Sequence, residues 1–169
     1  DGNGHTLKIN YVTDYDSPFR YVGNATFKNL HITGSITSTH EYSSGFVGNA
    51  IGNITIQNCR SSVVFNTSAK GATTNVGFIC QGTFSKTNEI TLLNCLFDGS
   101  FIGEESNDNC GFVGQMLSKD IKIEHCLFAP KELRTDFTNC HTLCGFYLSN
   151  LASNYYTKTY GTISRSEER

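Results

Sequence analysis

The chain has 169 residues, a formal net charge of −2 and only 17% charged residues, so it offers no electrostatic grip for nucleic acid or an anionic membrane surface. Its length suits one domain with a sizeable core, and no apolar run approaches the ~18–20 residues of a membrane-spanning helix. The 16 glycines, with abundant Asn, Ser and Thr, are the composition of turn-rich β structure outside the cell rather than of a cytosolic enzyme.

Asp1-Gly2-Asn3-Gly4 is a turn leading straight into a strand, and so abrupt an opening reads as a module cut from a longer protein. Residues 5–13 (HTLKINYVT) are expected to be the last strand of an incomplete first turn. Tyr21-Val22 opens the first full repeat, ATFKNL (25–30) continues it and residues 31–36 complete it. The plainest copy follows at residues 45–65, GFVGNAIGNITIQNCRSSVVF: a short strand, a Gly/Asn turn, an alternating strand ending in Asn58-Cys59, and a third strand through Val63, Val64 and Phe65. The ITIQNC step (54–59) has counterparts in ATFKNL, ITLLNC (90–95) and IKIEHC (121–126). The Gly45-Phe46-Val47 step returns at Gly77, Gly111 and Gly145, at intervals of 32, 34 and 34 residues, with a degenerate first copy at residues 20–22.

Within each copy, apolar and polar residues alternate with the period of a half-buried strand. Ala25, Phe27 and Leu30, then Ile54, Ile56 and Cys59, Ile90, Leu92 and Cys95, and Ile121, Ile123 and Cys126 keep one phase and are expected to face inward. The residue before the last is Asn29, Asn58, Asn94 and then His125, which fits a bend where stacked Asn side chains satisfy backbone groups and one another. Repeats of this length bury their apolar faces only against neighbouring repeats. The predicted fold is therefore an all-β, right-handed parallel β-helix of about four to five rungs, three short strands per rung, over residues 1–150. A β-propeller would need four antiparallel strands in ~40–45 residues. Residues 151–169 break the pattern and are expected to form a C-terminal capping segment and tail.

The seven cysteines are placed like small hydrophobes. Cys59, Cys95 and Cys126 replace Leu30 in one inward row, and Cys110 and Cys144 are assigned to another, with Ser44 and Val76. Stacked neighbours lie within disulfide distance, but the odd count and the ladder placement point to free buried thiols.

The copies disagree at residues 37–44, 66–76, 103–110 and 134–144, all at one corner, where loops on a rigid scaffold carry binding. Asp14 and Asp16, Glu104 and Glu105, and Asp108 supply carboxylates for glycoside or uronate chemistry, but no Lys or Arg stands beside them in sequence, so solvated turn residues is the preferred reading. Cys110, Cys140, His141 and Cys144 are an alternative zinc set, weakened by the inward row assigned to Cys144 and the absence of a Cys pair spaced by two residues. A Cys/His nucleophile would need an exposed thiol and an orienting partner. His5, His31 and His40 read as surface polar residues, and no phosphate-cradling glycine loop precedes a helix. Asn24, Asn53 and Asn66 head N-glycosylation sequons, two of them against strands. No cofactor is expected.

One feature stands apart. Just after the Asn-Cys corner the outward position is His31, Arg60, Leu96 and then Leu127, and Leu93 is outward where other copies carry Lys28, Gln57 and Glu124. Leu93, Leu96 and Leu127, rimmed by Lys122 and Glu124, are predicted to form an exposed apolar patch of the kind that marks interaction surfaces.

The runs DGNGHTLKI, ATFKNLHITGSI, GFVGNAIGNITIQNC and NCGFVGQ resemble the β-helical, GLUG-like repeat regions of large surface proteins of Gram-positive gut commensals, over residues 1–130 and loosely thereafter. Some of those proteins are immunoglobulin superantigens that bind antibody variable domains, and others are presumed adhesins. The matching motifs are structural, so no functional residue transfers with them. The resemblance implies a non-catalytic, extracellular binding module of a bacterial cell surface, part of a longer protein, whose partner is a host protein such as an antibody variable domain. The alternative from another class is a carbohydrate-active β-helix, binding, lyase or hydrolase, using Asp14, Asp16, Glu104 and Glu105.

Overall fold

The computed structural model describes residues 1–12, 17–37, 42–67, 74–82, 88–103, 108–115, 120–134, 138–145 and 150–164. Among them the chain is all β, without helix. The strands run β1 (Thr6–Tyr11), β2 (Phe19–Val22), β3 (Ala25–Lys28), β4 (His31–Ile36), β5 (Tyr42–Ser44), β6 (Val47–Ala50), β7 (Ile54–Gln57) and β8 (Arg60–Phe65). They continue with β9 (Thr74–Val76), β10 (Ile79–Gly82), β11 (Glu89–Leu93), β12 (Leu96–Phe97), β13 (Ser100–Phe101), β14 (Val113–Gln115) and β15 (Asp120–Glu124). The last are β16 (Leu127–Phe128), β17 (Glu132–Leu133), β18 (His141–Cys144), β19 (Asn150–Ala152), β20 (Tyr155–Tyr156) and β21 (Thr162–Ser164).

These strands stack, parallel in every pairing among the described residues, into three large sheets and one small one. An eight-stranded sheet follows β1-β4-β8-β12-β16-β20, with β13 and β17 alongside. A six-stranded sheet follows β2-β6-β10-β14-β18-β21, a five-stranded one β3-β7-β11-β15-β19, and β5 pairs with β9. Successive strands thus pass from sheet to sheet and return one step along the stack, an arrangement compatible with a β-helix or solenoid.

The alternation read from the sequence sets the register. Ile54, Ile90 and Ile121 are in line, as are Ile56, Leu92 and Ile123, and all six are buried. Aromatic rows run along the core: Phe46, Phe78 and Phe112 stack at centroid distances of 4.9 and 5.3 Å, and Phe97 stacks on Phe128 at 5.5 Å. Offset pairs of this kind add about 0.5–1.5 kcal/mol each beyond the area they bury.

The Asn corner is observed as a left-handed backbone position. Asn29, Asn58, Asn94, His125 and Ser153 have φ of 52, 54, 53, 53 and 54°, a region where Asn is among the better-tolerated non-Gly residues. Asn94 Nδ2 donates to Asn58 Oδ1, and Asn58 Nδ2 to Asn29 Oδ1, each at 3.3 Å. The ladder ends where Asn29 Nδ2 donates to the Asp1 carboxylate at 3.2 Å.

The repeat frame departs from expectation at both ends. Phe19, rather than Val22, lies opposite Val47, and Val22 pairs with Ala50, so the first copy is offset by three residues. At the other end Cys144 takes the position of Val47, Ile79 and Val113, so Gly145 is not the counterpart of Gly111. His141, not Cys144, follows Ser44, Val76 and Cys110 in their row. The physical reason is local: at this step Thr142 Oγ1 accepts the Tyr160 N–H at 2.8 Å, filling a place where the inner repeats leave no room for a side chain. The boundary expected at residue 150 falls inside β19, and β20 and β21 continue the sheets.

Candidate functional site

The eight-stranded sheet carries the candidate site on its outward face. Its register aligns Thr6, His31, Arg60, Leu96, Leu127 and Tyr155 in one row. The adjacent row is Leu7, Ile32, Ser61, Phe97, Phe128 and Tyr156, buried from Ile32 to Phe128 and exposed at its two ends. Because Phe97 and Phe128 are fully buried, their strand neighbours Leu96 and Leu127 are turned outward by the pleat. Leu127 is 36% and Tyr155 65% exposed, while Leu96 is half-buried. The row is therefore polar from Thr6 to Arg60 and apolar from Leu96 to Tyr155.

A hydrogen-bonded brace marks the change. Arg60 Nε and Nη2 donate to the two oxygens of Asp98 at 3.1 and 2.5 Å. Ser62 Oγ donates to Asp98 Oδ1 at 2.5 Å, so it accepts from His31 Nε2, 2.8 Å away. His31 Nδ1 is then the acceptor for Thr6 Oγ1 at 3.3 Å. This assignment needs a neutral imidazole, and partial burial, followed by the charge of Arg60, holds the His31 pKa below its ordinary value. Burial alone would raise the Asp98 carboxyl, but hydrogen bonds from Arg60 and Ser62 outweigh it and hold it below the usual range. A carboxylate so stabilised is a poor base, and His31 offers Ser62 a donor rather than an acceptor. The four groups fix the Arg60 side chain; they do not form a nucleophilic relay.

The five residues predicted for the patch fall on two faces. Leu96 and Leu127 are direct neighbours. Leu93 lies in the five-stranded sheet, in register with Gln57 and Glu124, and Lys122 pairs there with Thr91 and Asn150. The left-handed corner at Asn94 separates this group from Leu96, so Lys122 and Glu124 do not rim the Leu96–Leu127 pair. Tyr155 was not anticipated. Its signal is Ser153-Asn154-Tyr155-Tyr156, which repeats the pattern of His125-Cys126-Leu127-Phe128 beyond the corner residue.

The alternative zinc residues are all buried, with Cys110 joined to His141 by an isolated parallel bridge. His141 Nδ1 is 2.7 Å from Thr162 Oγ1, and Cys140 Sγ donates to Thr138 O at 3.6 Å. Among the described residues no group of three or more His, Cys, Asp or Glu is placed to hold a metal ion. Asp14, Asp16, Glu104 and Glu105, like His40, lie outside the described residues. Asp108 is a corner residue with φ 59°. At the β1–β3 end, Leu7, Phe19, Phe27 and Leu30 line a depression of about 430 Å³ with Asp1, Gly2, Thr26 and Lys28.

Searches against protein-family models, curated proteins and solved structures found no match to this chain.

Proposed function

We propose that the protein is a non-catalytic binding module, a right-handed parallel β-helix of about four to five rungs displayed on a bacterial cell surface as part of a longer protein. The reading rests on one observation: Leu96, Leu127 and Tyr155 form an outward apolar row on a hydrogen-bonded parallel sheet. The row abuts a fixed Arg60–Asp98 pair, and an apolar centre with Tyr and Arg at hand is the composition of protein-binding hot spots. The partner class is a host protein. An antibody variable domain is the first candidate, from the repeat resemblance, and its framework strands are a surface shared by antibodies of every specificity.

Binding of immunoglobulin Fab, Fc and a glycan array to the immobilised chain tests the reading. Fab binding that is lost in the double variant Leu96→Asp with Leu127→Asp, at unchanged circular dichroism, is expected. A folded double variant with undiminished Fab affinity would move the site elsewhere. Glycan binding without Fab binding would favour the carbohydrate-active alternative.

A further inference from the structure

The cysteine row that follows the Asn corner has a second property. Arg60, Leu96 and Leu127 are in register, which places Cys59, Cys95 and Cys126, one residue earlier on each strand, in a single file. Each thiol donates to the carbonyl two residues back: Cys59 to Gln57 at 3.2 Å, Cys95 to Leu93 at 3.4 Å and Cys126 to Glu124 at 3.3 Å. Cys95 Sγ also lies 3.4 Å from Ile56 O on the preceding strand, and the Cys95 backbone N–H donates to Cys126 Sγ at 3.4 Å. The Cys126 sulfur therefore leans toward its neighbour's strand. Paired strands stand about 4.8 Å apart, inside the Cα range of roughly 4.4–6.8 Å that disulfides span.

We propose that Cys95 and Cys126 are a peroxide-oxidisable dithiol that closes to an internal disulfide in the folded protein. Cys126 is the attacking sulfur, because the Cys95 backbone N–H donates to it at 3.4 Å. The neighbouring Cys95 thiol lowers the Cys126 pKa, and Cys126 in turn raises that of Cys95. In the first step the Cys126 thiolate attacks one peroxide oxygen: an S–O bond forms, the O–O bond breaks, and hydroxide leaves. In the second step Cys95 yields its proton to that hydroxide and its sulfur attacks the sulfenic sulfur. The S–S bond forms, the S–O bond breaks, and the departing hydroxide takes up the proton Cys126 had released. Two thiols are oxidised, one peroxide is reduced and two waters are produced. Both sulfurs are buried, but His125 and Leu127 on either side of Cys126 are exposed, so the pair lies one layer beneath the surface, within reach of a small oxidant.

The test treats the folded chain with stoichiometric hydrogen peroxide, then alkylates with N-ethylmaleimide under denaturing conditions and maps the peptides by mass. The expected result is two alkylations fewer than in untreated protein, a cross-linked pair of peptides carrying Cys95 and Cys126, and full reversal by dithiothreitol. Cys95→Ala should leave a sulfenic acid on Cys126 that dimedone traps, without a cross-link. Survival of all the thiols, a cross-link between Cys59 and Cys95, or sulfinic acid at Cys126 beside an unmodified Cys95 would each overturn the proposal. The mapping of the unaltered protein decides this even if the alanine variant does not fold.

Discussion

The ring of Phe97 occupies the space into which a β-carbon on Gly77 would project: Phe97 Cδ2 lies 2.5 Å from that position, and the Gly111 carbonyl oxygen closes it from the other side. Gly111 stands in the same relation to Phe128, whose Cδ2 is 2.6 Å from the corresponding point. The recurring glycine of the bend just before β10 and β14 and the recurring inward Phe of the eight-stranded sheet are thus one device, in which the missing side chain is the seat of the ring. Gly77→Ala should lower stability by about 1–3 kcal/mol through overpacking, seen as a lower urea midpoint at unchanged slope. Gly23, whose β-carbon would meet Ile51 alone, most closely its side-chain Cγ1 at 3.2 Å, should tolerate alanine within about 0.5 kcal/mol.

At the corner, Asn58 combines a left-handed backbone with two ladder hydrogen bonds. Asn58→Gly loses the ladder but keeps the conformation; Asn58→Ala loses both. Alanine should be the more destabilising of the two by about 1 kcal/mol, although glycine is the smaller residue. Equal midpoints in urea would show that the ladder, not the backbone, selects Asn.

Acid should weaken the brace in two stages. Folding lowers the His31 pKa, so the folded state holds fewer protons there, and stability falls as pH drops through the histidine range. Folding also lowers the Asp98 pKa, so a second contribution, intact above the ordinary aspartate range, is lost as pH falls through the folded value. Thermal midpoints followed from pH 8 to 2 should show both losses, the first absent in His31→Gln and the second in Asp98→Asn.

Tyr155 is the most exposed member of the candidate row. In the proposed complex Tyr155→Ala should weaken binding by at least about 2 kcal/mol, roughly 30-fold in Kd, and mainly through faster dissociation. Unfolding in urea should be unchanged within about 0.5 kcal/mol. A fall in affinity matched by a fall in stability would point to lost folding instead.

The thiols give a check on the whole core. Cys140 falls in the variable segment 134–144, where a loop thiol would be open to reagents, but it is 3% exposed, and Tyr160 and Thr138 O are its hydrogen-bonding neighbours. All seven cysteines are buried. A bulky aromatic disulfide reagent should label none of them rapidly in the native state, and all of them once the chain is unfolded.

Much of the interior was legible because alternation and repetition act together. Ile54, Ile90 and Ile121 could be aligned from sequence, since a one-residue slip would expose every one of them. The Asn corner was legible because few residues accept a positive φ. The terminal frames were not. Phe19 sits in the glycine-led repeat without the glycine because β2, the first strand of its sheet, has no neighbour on one side; Cys144 does so because Thr142 stands in the glycine's place and binds the Tyr160 N–H. For the candidate site, the Leu96–Leu127 contact followed from the repeat, but the division of Leu93 from Leu96 depends on the backbone turning through Asn94. Tyr155 was hidden because Ser153-Asn154 disguises the corner.

Every inner strand of the three large sheets is bonded to a strand on either side, so the molecule has a middle and two rims. Damage therefore has a direction. The first and last strands, β1 and β21, are bonded on one side only, and unravelling that begins there frees one layer at a time instead of dissolving a shared centre. Amide hydrogens should report this as a gradient, quickest in β1 and β21 and slowest in β7 and β11, whose exchange must wait for the layers on at least one side to peel away.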